Sequence, residues 1–124
     1  MHNNLDYFNC IVYPYLTWPI VESLLEHQNI QVDAKDHNNK TALMFGAMNG
    51  HAEVTKLLIE KGADVNAINS EKKTALIFAA ANGYQHVVES LLEKGADVNA
   101  QDHYGNTALI LAVNNGNEAI VGPC

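Results

Sequence analysis

Six histidines, two cysteines and fourteen carboxylates are the side chains of this sequence whose types could do chemistry, so their spacing is the first question. His2, His27, His37, His51, His86 and His103 never form the H-E-x-x-H arrangement that sets two imidazoles on one helical face, and none stands at zinc-ligand distance from a cysteine. No metal site is expected. Asp64 and Asp97, with Asn66 and Asn99, resemble a carboxylate pair, but each pair lies inside a copy of the segment A-D-V-N-A one period apart. Such recurrence points to turn hydrogen bonding. Cys10 is followed by Ile11 and Val12, an apolar setting in which a thiol resists ionisation and serves as an inert core residue. No glycine-rich phosphate loop occurs. The chain is expected to have no catalytic residues, no metal and no cofactor.

The elements that carry these residues repeat. T-A-L begins at Thr41, Thr74 and Thr107 and leads each time to an Asn-Gly pair, at Gly50, Gly83 and Gly116. K-G-A-D-V-N-A begins at Lys61 and Lys94, at the same interval of 33 residues. Leu43 and Ala47 stand four apart, while Val54, Leu57 and Leu58 follow the i, i+3, i+4 rule, so each unit predicts two short helices with one apolar stripe apiece. The three threonines are suited to cap the first helices. Gly62 and Gly95, each after Glu-Lys, are suited to close the second helices in a left-handed conformation. Asn49-Gly50, Asn82-Gly83 and Asn115-Gly116 read as tight turns between helices. The A-D-V-N-A segments lack helical periodicity and lead into polar turns such as Asp36 to Asn39 and Asp102 to Gly105, which predicts an extended finger between units.

This pattern resembles the ankyrin-repeat family, whose consensus runs D-x-x-G-x-T-P-L-H-x-A-A-x-x-G-H and then V-V-x-x-L-L-x-x-G-A-D-V-N-A. The resemblance covers about residues 36–121, with Asp102 to Val113 and Gly83 to Ala100 matching closely. It implies an all-α repeat fold: a solenoid of about four repeats, the first atypical and the last truncated, built of paired antiparallel helices with β-hairpin-like fingers. Two departures recur. Ala42, Ala75 and Ala108 replace the family's proline, forfeiting a pre-set φ that contributes roughly 0.4 to 1 kcal/mol per site. Met44, Ile77 and Ile110 replace its histidine, exchanging a polar tie between repeats for apolar contact.

One domain over residues 1–124 is expected, divided into an atypical N-terminal capping repeat (1–35), repeats at 36–68 and 69–101, and an incomplete C-terminal repeat (102–124). Val21 to Glu26 copies Val88 to Glu93, with one extra residue before Val32-Asp33-Ala34 restores the register. The preceding stretch, Tyr7 to Trp18, has no T-A-L motif and reads as a cap. Thr17 and Pro19 would start the next helix. After Glu118 to Val121 the expected leucine pair is replaced by Gly122-Pro123-Cys124. Truncation of a longer protein is preferred to a frayed final helix.

At 48% hydrophobic residues, the 124-residue chain can build one elongated core. Its formal charge of −7, with no arginine, gives no footprint for nucleic acid and disfavours anionic membranes, leaving basic or mixed partners. The cysteines stand at opposite ends, so no disulfide framework is implied. No stretch reads as a leader or a membrane span. A cytoplasmic protein is expected, delivered to a host cell if its abundant asparagine and absent arginine reflect a host-associated source.

The resemblance implies recognition of another protein, of unknown identity, on the concave face. Carried over position by position, the finger contacts are His37, Asn38 and Lys40; Ser70, Glu71 and Lys73; and His103, Tyr104 and Asn106. First-helix contacts are Met48 and Asn49, Ala81 and Asn82, and Asn114 and Asn115, with Ile68 and Gln101 at the junctions. Tyr104 has the greatest weight, since an aromatic side chain on a polar turn has no core to fill. Met48 and Ile68 follow, unless they pack against the adjacent repeat. Lys40, Glu71 and Lys73 would set orientation and association rate. Two alternatives accompany this non-enzymatic interaction module. One is a targeting domain on a longer enzyme or secreted effector. The other is a structural module, with the incomplete last repeat pairing two copies, against a favoured monomer.

Overall fold

A computed structural model describes residues 18–116. Six helices follow one another: α1 (18–25), α2 (Ala42–Met48), α3 (Ala52–Glu60), α4 (Ala75–Asn82), α5 (Gln85–Glu93) and α6 (Ala108–Asn114). Short connections fold α3 back on α2 and α5 back on α4. The first helices α2, α4 and α6 stack in one row while α3 and α5 stack in a second. The expected all-α repeat solenoid is therefore present.

Each first helix starts where a threonine satisfies an orphaned amide. Thr41, Thr74 and Thr107 hold extended backbone, and their Oγ1 atoms accept from the N–H groups of Met44, Ile77 and Ile110 at 3.2–3.3 Å. The second helices end in Schellman motifs. Ala63 N–H reaches back to the Leu58 carbonyl and Ala96 N–H to that of Leu91, over Gly62 and Gly95 at φ of 95° and 89°.

The core is a row. Leu43, Ala47, Leu76, Ile77, Ala79, Val87 and Leu91 are buried in one continuous cluster running from α2 to α5. Small residues set the spacing within a pair: a Cβ on Gly46 would lie 3.0 Å from Thr55 Oγ1, and Thr55 is fully buried with its hydroxyl donating to the His51 carbonyl at 2.8 Å. Met44 and Ile77, which stand where the resemblance calls for histidine, are each only 1% exposed. Apolar burial replaces the polar tie at these two positions, whereas Ile110, the third, is 48% exposed.

No strand occurs among the described residues. Each finger closes as a tight turn, in which Asp36, Asn69 and Asp102 donate their N–H groups to the carbonyls of Lys40, Lys73 and Asn106 and accept from the N–H groups of Asn39, Lys72 and Gly105. A short loop whose polar groups are satisfied by its own side chains needs no ladder. Trp18 and Pro19 lie in the first turn of α1. Thr17, Cys10, the rest of the expected cap and Glu118 to Cys124 lie outside the described residues.

Gly50 separates two costs that glycine replacement usually mixes. Its φ is 73°, and a Cβ there would lie 2.8 Å from the Tyr84 ring, whereas Gly62, at 95°, has open space around that position. Alanine at Gly62 is expected to cost about 1 kcal/mol for the left-handed backbone alone. Gly50→Ala is expected to cost clearly more in urea unfolding, and equal losses would show that Tyr84 yields without strain.

Candidate functional site

The finger turns are built from one oxygen each. Asp36 Oδ1 accepts from the N–H groups of Asn38 and Lys40, Asn69 Oδ1 from Glu71 and Lys73, and Asp102 Oδ1 from Tyr104 and Asn106, all at 2.8–2.9 Å. These hydrogen bonds, led by the one from Lys40, hold the Asp36 carboxyl below the usual carboxylate range. Asn69 and Asp102 are buried, so the expected contact residues sit on turns anchored from beneath. The third turn position, occupied by Asn39, Lys72 and Gly105, takes positive φ of 64°, 63° and 84°.

Successive fingertips are tied in register. Ser70 N–H donates to the Asn38 carbonyl at 3.1 Å and His103 N–H to that of Glu71 at 3.0 Å. With the backbone groups so engaged, the side chains of His37, Asn38, Ser70, Glu71, His103 and Tyr104 are left exposed along one edge. Tyr104, 73% exposed, is the most open aromatic among the described residues, and its ring lies 4.0 Å from that of His103. Asn106 is half-buried, while Gln101 and Ile68 are exposed at the junctions.

The first-helix candidates divide. Asn82 donates its side-chain amide to the Met48 carbonyl at 3.1 Å, and Asn115 does the same to Ala81 at 3.0 Å, each bond linking one unit to its predecessor. The side chain of Asn49 donates to Phe45 of its own helix. These asparagines therefore hold helix ends as well as reaching the surface. Met48 and Ala81 are half-buried and Asn114 is exposed.

Two features of the surface escaped the sequence reading. Lys40 Nζ lies 5.6 Å from the centroid of the Phe45 ring and Lys73 Nζ 5.8 Å from that of Phe78, so equivalent lysines rest over equivalent rings one unit apart. The shared offset of five residues was the available signal. Asn66 also does more than close a turn: its Oδ1 accepts from Asp97 N–H at 2.8 Å, as Asp33 Oδ1 does from Asp64 N–H at 2.9 Å. Asp64 and Asp97 themselves close local turns, accepting from the N–H groups of Asn66 and Asn99, as the recurrence implied.

A family model of ankyrin repeats (3 copies) matches residues 15–102 and 68–122. The chain belongs to the ankyrin-repeat family. No curated protein matches it. Ankyrin repeats generally bind other proteins and are typically not enzymes.

His51 stands at the N-cap of α3, but its side chain makes no capping bond there. The imidazole instead borders a cavity of about 420 Å³ between α1 and the α2–α3 pair, beside Val21, Leu24, Phe45 and Val54. Burial lowers its pKa below the usual 6.5. As pH falls below 6.5 the unfolded chain takes up this proton before the folded one, so stability drops until the folded-state value is reached. The melting temperature of wild type is expected to fall between pH 7.5 and 5.5 more steeply than that of His51→Asn. Parallel slopes would remove His51 as the cause.

Proposed function

We propose that this chain is a non-enzymatic interaction module that holds a protein partner on the face formed by its fingers and first helices. The observation that carries this reading is the fingertip edge. Backbone bonds between Asn38 and Ser70 and between Glu71 and His103 fix the row, while its side chains remain exposed. Preorganised turns reduce the ordering cost of binding. Tyr104 is the anchor, since a large exposed aromatic gains most on desolvation. Met48 and Ile68 supply secondary apolar contact, and Lys40, Glu71 and Lys73 set orientation. Glu71 and Lys73 pair at 3.6 Å on the surface, a contact worth little to stability and open to exchange with a partner.

In affinity capture from the native cell, Tyr104→Ala with Met48→Ala is expected to weaken recovery of the partner by about tenfold or more. Undiminished capture by a variant with a normal circular dichroism spectrum would exclude this face.

Self-association is a second reading, favoured by one observation: Leu109 and Val113 on α6 are each 72% exposed. A patch of this kind is a candidate for pairing with a copy of itself. Light scattering is then expected to show a concentration-dependent dimer that Leu109→Asp abolishes, and a monomer at every concentration would dispose of it.

A further inference from the structure

We infer that the chain's own residues Tyr7 to Leu16 cover the cavity between α1 and the α2–α3 pair, lying along α2 in the place of a first helix. The helices on either side of that cavity have faces that are closed elsewhere in the array and open here. Val21 to Glu26 copies Val88 to Glu93, so Ile20 and Leu24 of α1 stand where α5 has Val87 and Leu91. Val87 and Leu91 are 1% and 0% exposed, with α4 packed on α5, whereas Ile20 and Leu24 are 61% and 55% exposed. Helix α1 is thus a second helix with no first helix against it among the described residues. The same comparison applies to α2. Ala75 and Ala108 are buried and Phe78 and Leu111 half-buried, each on a helix with a first helix stacked before it. Ala42 and Phe45, at the same positions in α2, are exposed and line the cavity. A hydrogen bond marks the gap as well. Asn82 and Asn115 donate to carbonyls of the preceding first helix, while Asn49 turns to Phe45 of its own.

The open faces of two helices therefore point into one space, and the segment beside α1 is suited to fill it. From Tyr7 to Leu16 no residue is charged, and Tyr7, Phe8, Ile11, Val12, Tyr13 and Leu16 bring apolar surface to an apolar lining. These residues reach about 15 Å even when helical, against about 10 Å for the length of α2. A backbone carbonyl of the segment gives Asn49 the acceptor that its counterparts have. Thr17 alone separates the segment from α1. Such a tether holds it at an effective concentration of roughly millimolar, which favours it over a second copy or a free ligand.

The sequence supplies its own probe, since Cys10 lies in the segment and Cys124 at the far end of the chain. In the full chain, alkylation followed by peptide mass mapping is expected to modify Cys10 about tenfold or more slowly than in urea. Leu24→Asp and Ala42→Asp, exposed positions on opposite walls of the cavity, are each expected to restore most of that reactivity and to leave Cys124 unchanged. Should one of them fail to fold by circular dichroism, the other decides. Cys10 alkylated as fast in the folded chain as in urea would overturn the proposal. So would protection that persists in a folded variant, which places the segment elsewhere, and protection that fades on dilution, the mark of a second copy. Uptake of an apolar fluorescent dye by the unaltered chain and not by Leu24→Asp would show an open cavity and overturn it equally.

Discussion

Helices α2 and α4 of this protein each pack on their own second helix, and each first helix has two further sides to bury against its neighbours in the row. Leu43 and Leu76 stand at the same motif position in α2 and α4 and are 1% and 2% exposed, because a further first helix is stacked on each. Leu109, at that position in α6, lies open, and among the described residues no helix stacks beyond it. Stability is therefore passed from unit to unit rather than collected around a centre. Small residues make the arrangement possible: Gly46, Ala47, Ala79 and Ala80 let the helices approach closely enough for Leu58, Val87 and Leu91 to complete the core.

Polar groups then fix the register that burial leaves loose. Hydrophobic contact is non-directional, and a row of leucines and alanines would tolerate some sliding. Asp33 and Asn66 each accept from a backbone amide of the following unit, Asn82 and Asn115 each donate to a carbonyl of the preceding one, and the fingertips bond at Ser70 and His103. The bonds in each set are one repeat apart, so a slip of one unit against another would break them together.

The candidate surface is what these constraints leave over. The finger turns satisfy their amides through Asp36, Asn69 and Asp102, so the intervening side chains are not needed to close them. That is why histidine, serine, glutamate and tyrosine can all stand at equivalent places there.

The sequence by itself determined the repeat, its helices and their ends, because these depend on neighbours within a few residues: threonine oxygens reaching amides three positions on, and glycines permitting positive φ. It also marked the finger positions, since the period carries a role from one unit to the next. Three things were decided only by the tertiary structure. Identical leucines became buried or open according to what stacks on them, and the finger turns were closed by the side-chain oxygens of Asp36, Asn69 and Asp102, of which the last two are buried. Asn66, Asn82 and Asn115 turned out to bind across units. Such contacts join residues about 30 positions apart, and which donor meets which acceptor depends on the rotation of one unit against the next, a quantity no local pattern records.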